Sequence, residues 1–241
     1  MMRKNMFAVA SILVVLAVLL ATLDVFFVFY GRRYPFMFRH RLDPQSITEE
    51  GARRFLESAW FDPRLGWDSD PVARNQEEGR TYWAQSYGDS FTYGAEVEED
   101  ATWQAAHFRA TGRRILNLGV SGYGLDQAVL KFEKYGERFP TERAILALNS
   151  QEYRRVSARY AYYCFASVDL ENLFKYAFKP IYRPSADGWE LQLPPCRDPA
   201  CLIELLRDEP GKLRALLSQG DVCYRQNDRR PFLQFPYTLN F

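Results

Sequence analysis

From Phe7 to Tyr30 the chain reads FAVASILVVLAVLLATLDVFFVFY, with a single charge at Asp24. Crossing ~30 Å of hydrocarbon takes about 20 apolar residues in a helix, so this run is long enough to span a bilayer. A cleaved signal peptide has a shorter apolar stretch, roughly 7–15 residues, and a small-residue exit site. Here Phe26, Phe27 and Phe29 crowd the end instead. The reading is an uncleaved signal anchor over residues 1–31, with the lipid bilayer as partner of residues 7–30. Asp24, near the far end, either snorkels to the interface or pairs with a neighbouring helix.

Which side receives the rest of the chain is balanced. Arg3 and Lys4 precede the span, while Arg32, Arg33, Arg39 and Arg41 follow it; the basic count alone puts the following domain in the cytoplasm. The cysteines argue the other way. There are four, and Cys196 and Cys201 flank the short loop PCRDPAC, a pair able to close a disulfide in an oxidising compartment. Four buried free thiols are the competing reading. A metal centre suits the spacing less well, because no second Cys or His pair accompanies it.

Roughly 210 residues remain after the anchor, enough for one α/β domain with its own core. Lys plus Arg number 31 against 30 for Asp plus Glu, a net charge of +1. No basic excess or stripe marks a nucleic-acid binder. A basic, aromatic connector opens a 32–75 lead-in, where Ser46 to Glu49 has capping-box spacing ahead of an amphipathic helix to about Ala59. DPRLGWDSDP (62–71) is turn-rich, with Trp67 as its apolar anchor.

The pattern then becomes regular over 76–241. Thr81 to Tyr87 predicts a strand, Ala101 to Thr111 a helix stopped by Gly112, Arg114 to Leu118 a strand, Leu125 to Arg138 a helix ended by Pro140, and Arg143 to Leu148 a strand. Strand, helix, strand, helix, strand at this spacing reads as a parallel sheet with covering helices. Functional residues of such sheets gather beyond the carboxyl ends of the strands. The loops there are GDSFTYG (88–94), GVSGYG (119–124) and Asn149-Ser150-Gln151-Glu152. Past Glu152 the pattern weakens: a Tyr-rich stretch to Tyr182, a hairpin-like PSADGWELQLPP, a helix over 202–217 interrupted at Pro210-Gly211, and a terminal RPFLQFPYTLNF without a recognisable element.

In Gly88-Asp89-Ser90-Phe91-Thr92 a serine stands on a tight strand-to-helix turn, where backbone N–H groups can meet an oxyanion. Alone, Gly-Asp-Ser is an ordinary turn composition. Together with Trp103, LNLGVSGYGLDQ (116–127) and AILALN (144–149), it resembles the SGNH/GDSL hydrolase superfamily, in particular its membrane-anchored bacterial members. The likeness covers about residues 62–155. It implies a three-layer α/β/α fold with a parallel, flavodoxin-like sheet after one N-terminal transmembrane helix, and ester hydrolysis or acyl transfer. Ser90 would be the nucleophile. Gly122 would give a backbone N–H to the oxyanion hole beside that of Ser90, and Asn149 a side-chain donor. The NSQE context departs from the family's Gly-x-Asn-Asp, so a turn or cap role competes for Asn149.

The resemblance also implies an Asp-x-x-His pair near the C-terminus, and none occurs in these 241 residues. The two histidines are His40, beside the membrane, and His107, in the helix after the GDS loop. A serine without a base stays protonated and is a poor nucleophile. Either the sequence is the first portion of a longer chain, or the domain is a non-catalytic descendant; for these residues inactivity is the expectation. The runner-up is a single-span accessory subunit docking onto a larger membrane protein complex. No cofactor is expected: GVSGYG is not GxGxxG, and no P-loop occurs. The acidic run Glu96 to Asp100 reads as a solvated helix start. A bacterial inner-membrane, single-pass protein with a periplasmic domain is the location the resemblance implies.

Overall fold

The computed structural model describes residues 2–33, 47–69 except 59, 81–164 except 151, 174, 176 and 178–228. The chain forms two units, one of residues 1–41 and 226–241, the other of 42–225. In the first, α1 runs Met2–Arg33. Its segment Val9–Tyr30 is apolar and long enough to cross a membrane; 22 residues at 1.5 Å each give about 33 Å.

The second unit is mixed α/β. Helix α2 is Glu49–Leu56, capped by Thr48, whose hydroxyl accepts from Gly51 N. The helix thus starts after Thr48, and Ser46 lies outside the described residues. Strands β1 (Phe61–Asp62) and β2 (Gly66–Trp67) make a small antiparallel ladder. Then come β3 (Ala84–Tyr87), α3 (Ser90–Tyr93), α4 (Trp103–Thr111), β4 (Ile115–Asn117), α5 (Leu125–Tyr135) and β5 (Arg143–Leu146). Each predicted strand and helix of this stretch is present, with shorter ends. A 3-10 turn, Glu99–Ala101, precedes α4, whose cap is Thr102; Gly112 closes it in the left-handed conformation (φ 70°).

β3 pairs in parallel with both β4 and β5, giving the order β4-β3-β5. The first strand in sequence is therefore central, and its two successors lie on opposite sides. Alternate residues of β3 face opposite sides of the sheet, as strand geometry requires. Tyr87 packs on Phe132 of α5 and joins Leu116, Leu118, Ala128 and Tyr135 in one core. Ser86 instead accepts a hydrogen bond from Gln104 of α4.

After β5 follow α6 (Glu152–Val156), a 3-10 turn at Ala161–Cys164, the antiparallel hairpin β6 (Ile181–Ser185) and β7 (Gly188–Gln192), α7 (Pro199–Arg207), a π turn at Glu209–Leu213, α8 (Arg214–Ser218) and α9 (Val222–Asp228). The hairpin and the break at Pro210-Gly211 match the sequence reading. The terminal segment 230–241 lies outside the described residues. A second core unites this region with α2 through Ile47, Ala52, Tyr160, Leu202, Leu206 and Leu217. All four cysteines pair, Cys164 with Cys223 and Cys196 with Cys201; the free-thiol alternative does not hold.

The DPRLGW lead-in is built into the same unit. Leu65 and Trp67 are fully buried, Trp67 Nε1 donates to Ser121 O, and Gln127 Nε2 donates to Leu65 O. Beneath them Lys131 donates to Asp68 at 2.5 Å, with both side chains buried. Burial pushes the Lys131 ammonium below its usual value, against the opposing pull of Asp68.

Candidate functional site

Three loops leave the carboxyl ends of β3, β4 and β5, and backbone bonds hold them together. Leu118 N donates to Ser86 O and Val120 N to Gly88 O, extending the β3–β4 pairing past the strands; Ala147 N donates to Tyr87 O on the other side. The approach is close. A Cβ on Gly119 would lie 2.4 Å from Tyr93 N, and one on Gly88 would lie 2.8 Å from Ala147 O. Glycine is required there for contact distance.

Ser90 is the first residue of α3, immediately after its cap, Asp89. Asp89 Oδ1 accepts from Phe91 N at 3.0 Å, satisfying one of the amides a helix start leaves over. The N–H and hydroxyl of Ser90 make no hydrogen bond among the described residues. The far end of α3 is equally well tied: Gln104 Nε2 donates to Thr92 O (2.9 Å) and Asn117 Nδ2 to Tyr93 O (3.2 Å).

Gly122 occupies the third position of a turn closed by Tyr123 N donating to Val120 O (3.2 Å), with φ 84°. That conformation fits the glycine position of a type II turn. Its N–H, too, has no partner among the described residues. Tyr123 is fully buried, and its hydroxyl donates to Trp67 O at 2.8 Å. Burial pushes that phenol far above its ordinary range.

Asn149 reaches the same edge, but its Nδ2 donates to Asp89 Oδ2. A residue the sequence reading passed over meets it there: Arg155 Nη1 donates to Asp89 Oδ2 at 2.9 Å and to Tyr123 O at 3.0 Å. Asp89 is thus a buried carboxylate with its cap, its amide and its counter-charge all supplied. A signal existed in the sequence: a carboxylate inside a tight turn at a sheet edge needs a cation, and Arg154-Arg155 follow the β5 loop.

His107 is elsewhere. Its ring packs edge-on against Trp83 (5.2 Å between centroids) and bonds to Thr111. Trp83 enters β3 from its amino end, whereas Ser90 lies past the carboxyl end. Four strand residues at ~3.3 Å each put about 13 Å of β3 between them. His40 lies outside the described residues, and so does Gln151.

The β3 and β4 loops each carry a backbone amide with no partner among the described residues, those of Ser90 and Gly122, at the edge where the strand order reverses between β3 and β5. Crevices at such switch points are where open α/β sheets bind ligands. Among the described residues no cluster of His, Cys, Asp and Glu suited to a metal occurs.

No protein-family model and no curated protein matches the chain. Two solved structures do: AlinE4, described as an SGNH-hydrolase family esterase, and a single-site mutant of the same enzyme. Each is 24% identical, with a TM-score of 0.28, over 33% of this chain and 46% of the matched one. The chain therefore spans less than half the length of these structures, and at this TM-score the similarity decides nothing about the fold.

Proposed function

We propose that residues 1–241 are a membrane-anchored SGNH-like domain related to serine esterases and O-acyl transferases, holding the nucleophile loop without the proton acceptor that would make it turn over. The observation that carries this reading is the edge itself. Ser90 heads α3 with its amide unpartnered among the described residues, Gly122 carries a second such amide in the β4 loop, and the histidine of the unit, His107, sits at the opposite end of β3. In the same reading Asn149 serves as a partner of Asp89 before any role as oxyanion donor.

The strand order β4-β3-β5, with Tyr87 facing α5 and Ser86 facing α4, supports a three-layer flavodoxin-like arrangement for 76–241. Residues 1–31 serve as the anchor and 32–75 as its connector and lead-in. The Cys164–Cys223 and Cys196–Cys201 pairs favour an oxidising compartment, hence a periplasmic domain on a bacterial inner membrane.

Hydrolysis of p-nitrophenyl acetate and butyrate by the full chain in mild detergent tests the reading. Ser90→Ala should leave the rate unchanged. A turnover that disappears in Ser90→Ala would overturn it.

A second reading, an accessory subunit of a membrane complex, has its own support. β5 is a sheet edge among the described residues, and Leu146 and Leu148, two apart on one face, are 42% and 59% exposed. An extended strand from a partner polypeptide would cover both leucines and pair with the edge. Purification as a lone, stable monomer in mild detergent would contradict it.

A further inference from the structure

We propose that Arg155 is the positioning residue of the Ser90 edge, a single side chain that sets the spacing between the two backbone amides offered there. The inference rests on the edge being the site, as read above, and adds what holds it in shape.

The geometry is specific. Arg155 belongs to α6, the element after the β5 loop, and its side chain is 12% exposed against 2% for Asp89. One nitrogen, Nη1, makes both of its described contacts, to Asp89 Oδ2 in the β3 loop and to Tyr123 O in the β4 loop. Asp89 directly precedes Ser90, and Tyr123 directly follows Gly122. One guanidinium nitrogen therefore bridges the two residues adjoining the two amides. Asp89 Oδ1 meanwhile accepts from Phe91 N, so the Asp89 carboxylate ties the start of α3 to Arg155.

The charge logic points the same way. A buried carboxylate beside an oxyanion site would oppose anion formation. The Arg155 guanidinium, 2.9 Å from Asp89 Oδ2, offsets that charge. Asn149 shares Oδ2 and so follows the same clamp. Loss of Arg155 releases Asp89, Asn149 and the Gly122 turn together, while the β6–β7 hairpin has no part in the contact.

Amide hydrogen exchange read by mass spectrometry, on the full chain in detergent, tests this without requiring Ser90 to react. Arg155→Gln should speed exchange at least tenfold over 89–94 and 119–124 and leave 181–192 unchanged. Arg155→Lys should restore most of the protection, because an ammonium can donate to both Asp89 Oδ2 and Tyr123 O. Asp89→Asn should loosen 89–94, and adding Arg155→Gln to it should give little further change there. If Arg155→Gln does not fold, a destabilised Arg155→Lys with uniform exchange would overturn the proposal, as would unchanged loops in Arg155→Gln or additive effects in the double variant. Esterase assays do not enter this outcome, so the clamp and the functional reading can fail separately.

Discussion

Arg155 and Asp89 are 66 residues apart in sequence, yet a guanidinium nitrogen of one lies 2.9 Å from a carboxylate oxygen of the other. The pair joins the loop carrying Ser90 to the helix that follows the last strand of the sheet. Removing one partner of a buried pair strands the other, at a cost of about 3–5 kcal/mol. Asp89→Ala should therefore lower stability on that scale, measured by thermal or denaturant unfolding, whereas Ser90→Ala should fall within about 0.5 kcal/mol of wild type.

Glycine positions divide by contact. Gly119→Ala would drive a methyl group to 2.4 Å from Tyr93 N and 2.7 Å from Thr92 C, both backbone atoms that cannot swing aside. About 1–3 kcal/mol should be lost, as in other overpacked sites. Gly112→Ala meets open space and carries only the left-handed φ of 70°, so a loss of about 1 kcal/mol is expected. Urea unfolding midpoints of the two variants give the comparison.

The acid limb of stability should depend on Asp62. Burial alone would raise its carboxyl, but the Lys134 ammonium and the backbone amides of Leu65 and Arg64 outweigh that and hold it below its ordinary 3.8. A depressed folded value means the stabilisation is complete above 3.8 and is lost as pH falls through the lowered folded value. The melting-temperature gap between wild type and Asp62→Asn should be full at pH 6 and close progressively below about pH 3.8. A gap unchanged down to pH 2 would contradict the assignment.

The two disulfides should contribute unequally. Cys164 and Cys223 are 59 apart in sequence, and Cys196 and Cys201 only 5. By loop-closure entropy the first is worth about 4 kcal/mol and the second about 2. Paired Cys→Ser replacements, compared by thermal unfolding, should preserve that order.

Much of this edge was legible in the sequence. The long apolar N-terminal helix was visible from a run broken only by Asp24, and the parallel sheet from strand and helix alternation between 81 and 148. The loops that carry Ser90 and Gly122 were placed by the strand ends, while the choice of Gly122 within its loop came from the family resemblance. What stayed hidden depended on long-range pairing. Asp89 in its tight turn calls for a cation, but nothing local says that Arg155 rather than Arg154 supplies it, and Asn149 reads equally well as an oxyanion donor or as a hydrogen-bond partner of a neighbouring loop. The start of α2 shifted for a local reason: Thr48 and Ser46 are both competent caps, and the observed cap is the one whose hydroxyl reaches Gly51 N. After Glu152 periodicity fails because disulfides, short helices and a π turn share the packing.

If Ser90 is a nucleophile that lacks only a base, as proposed, exogenous base should supply what is missing. The full chain in detergent is exposed to a fluorophosphonate probe with and without imidazole, and Ser90→Ala serves as control. The expected result is negligible labelling alone and labelling of Ser90 when imidazole supplies the proton acceptor. Labelling of Ser90 that is equally fast without imidazole would contradict the missing base, and no labelling of Ser90 under either condition would contradict the preserved nucleophile.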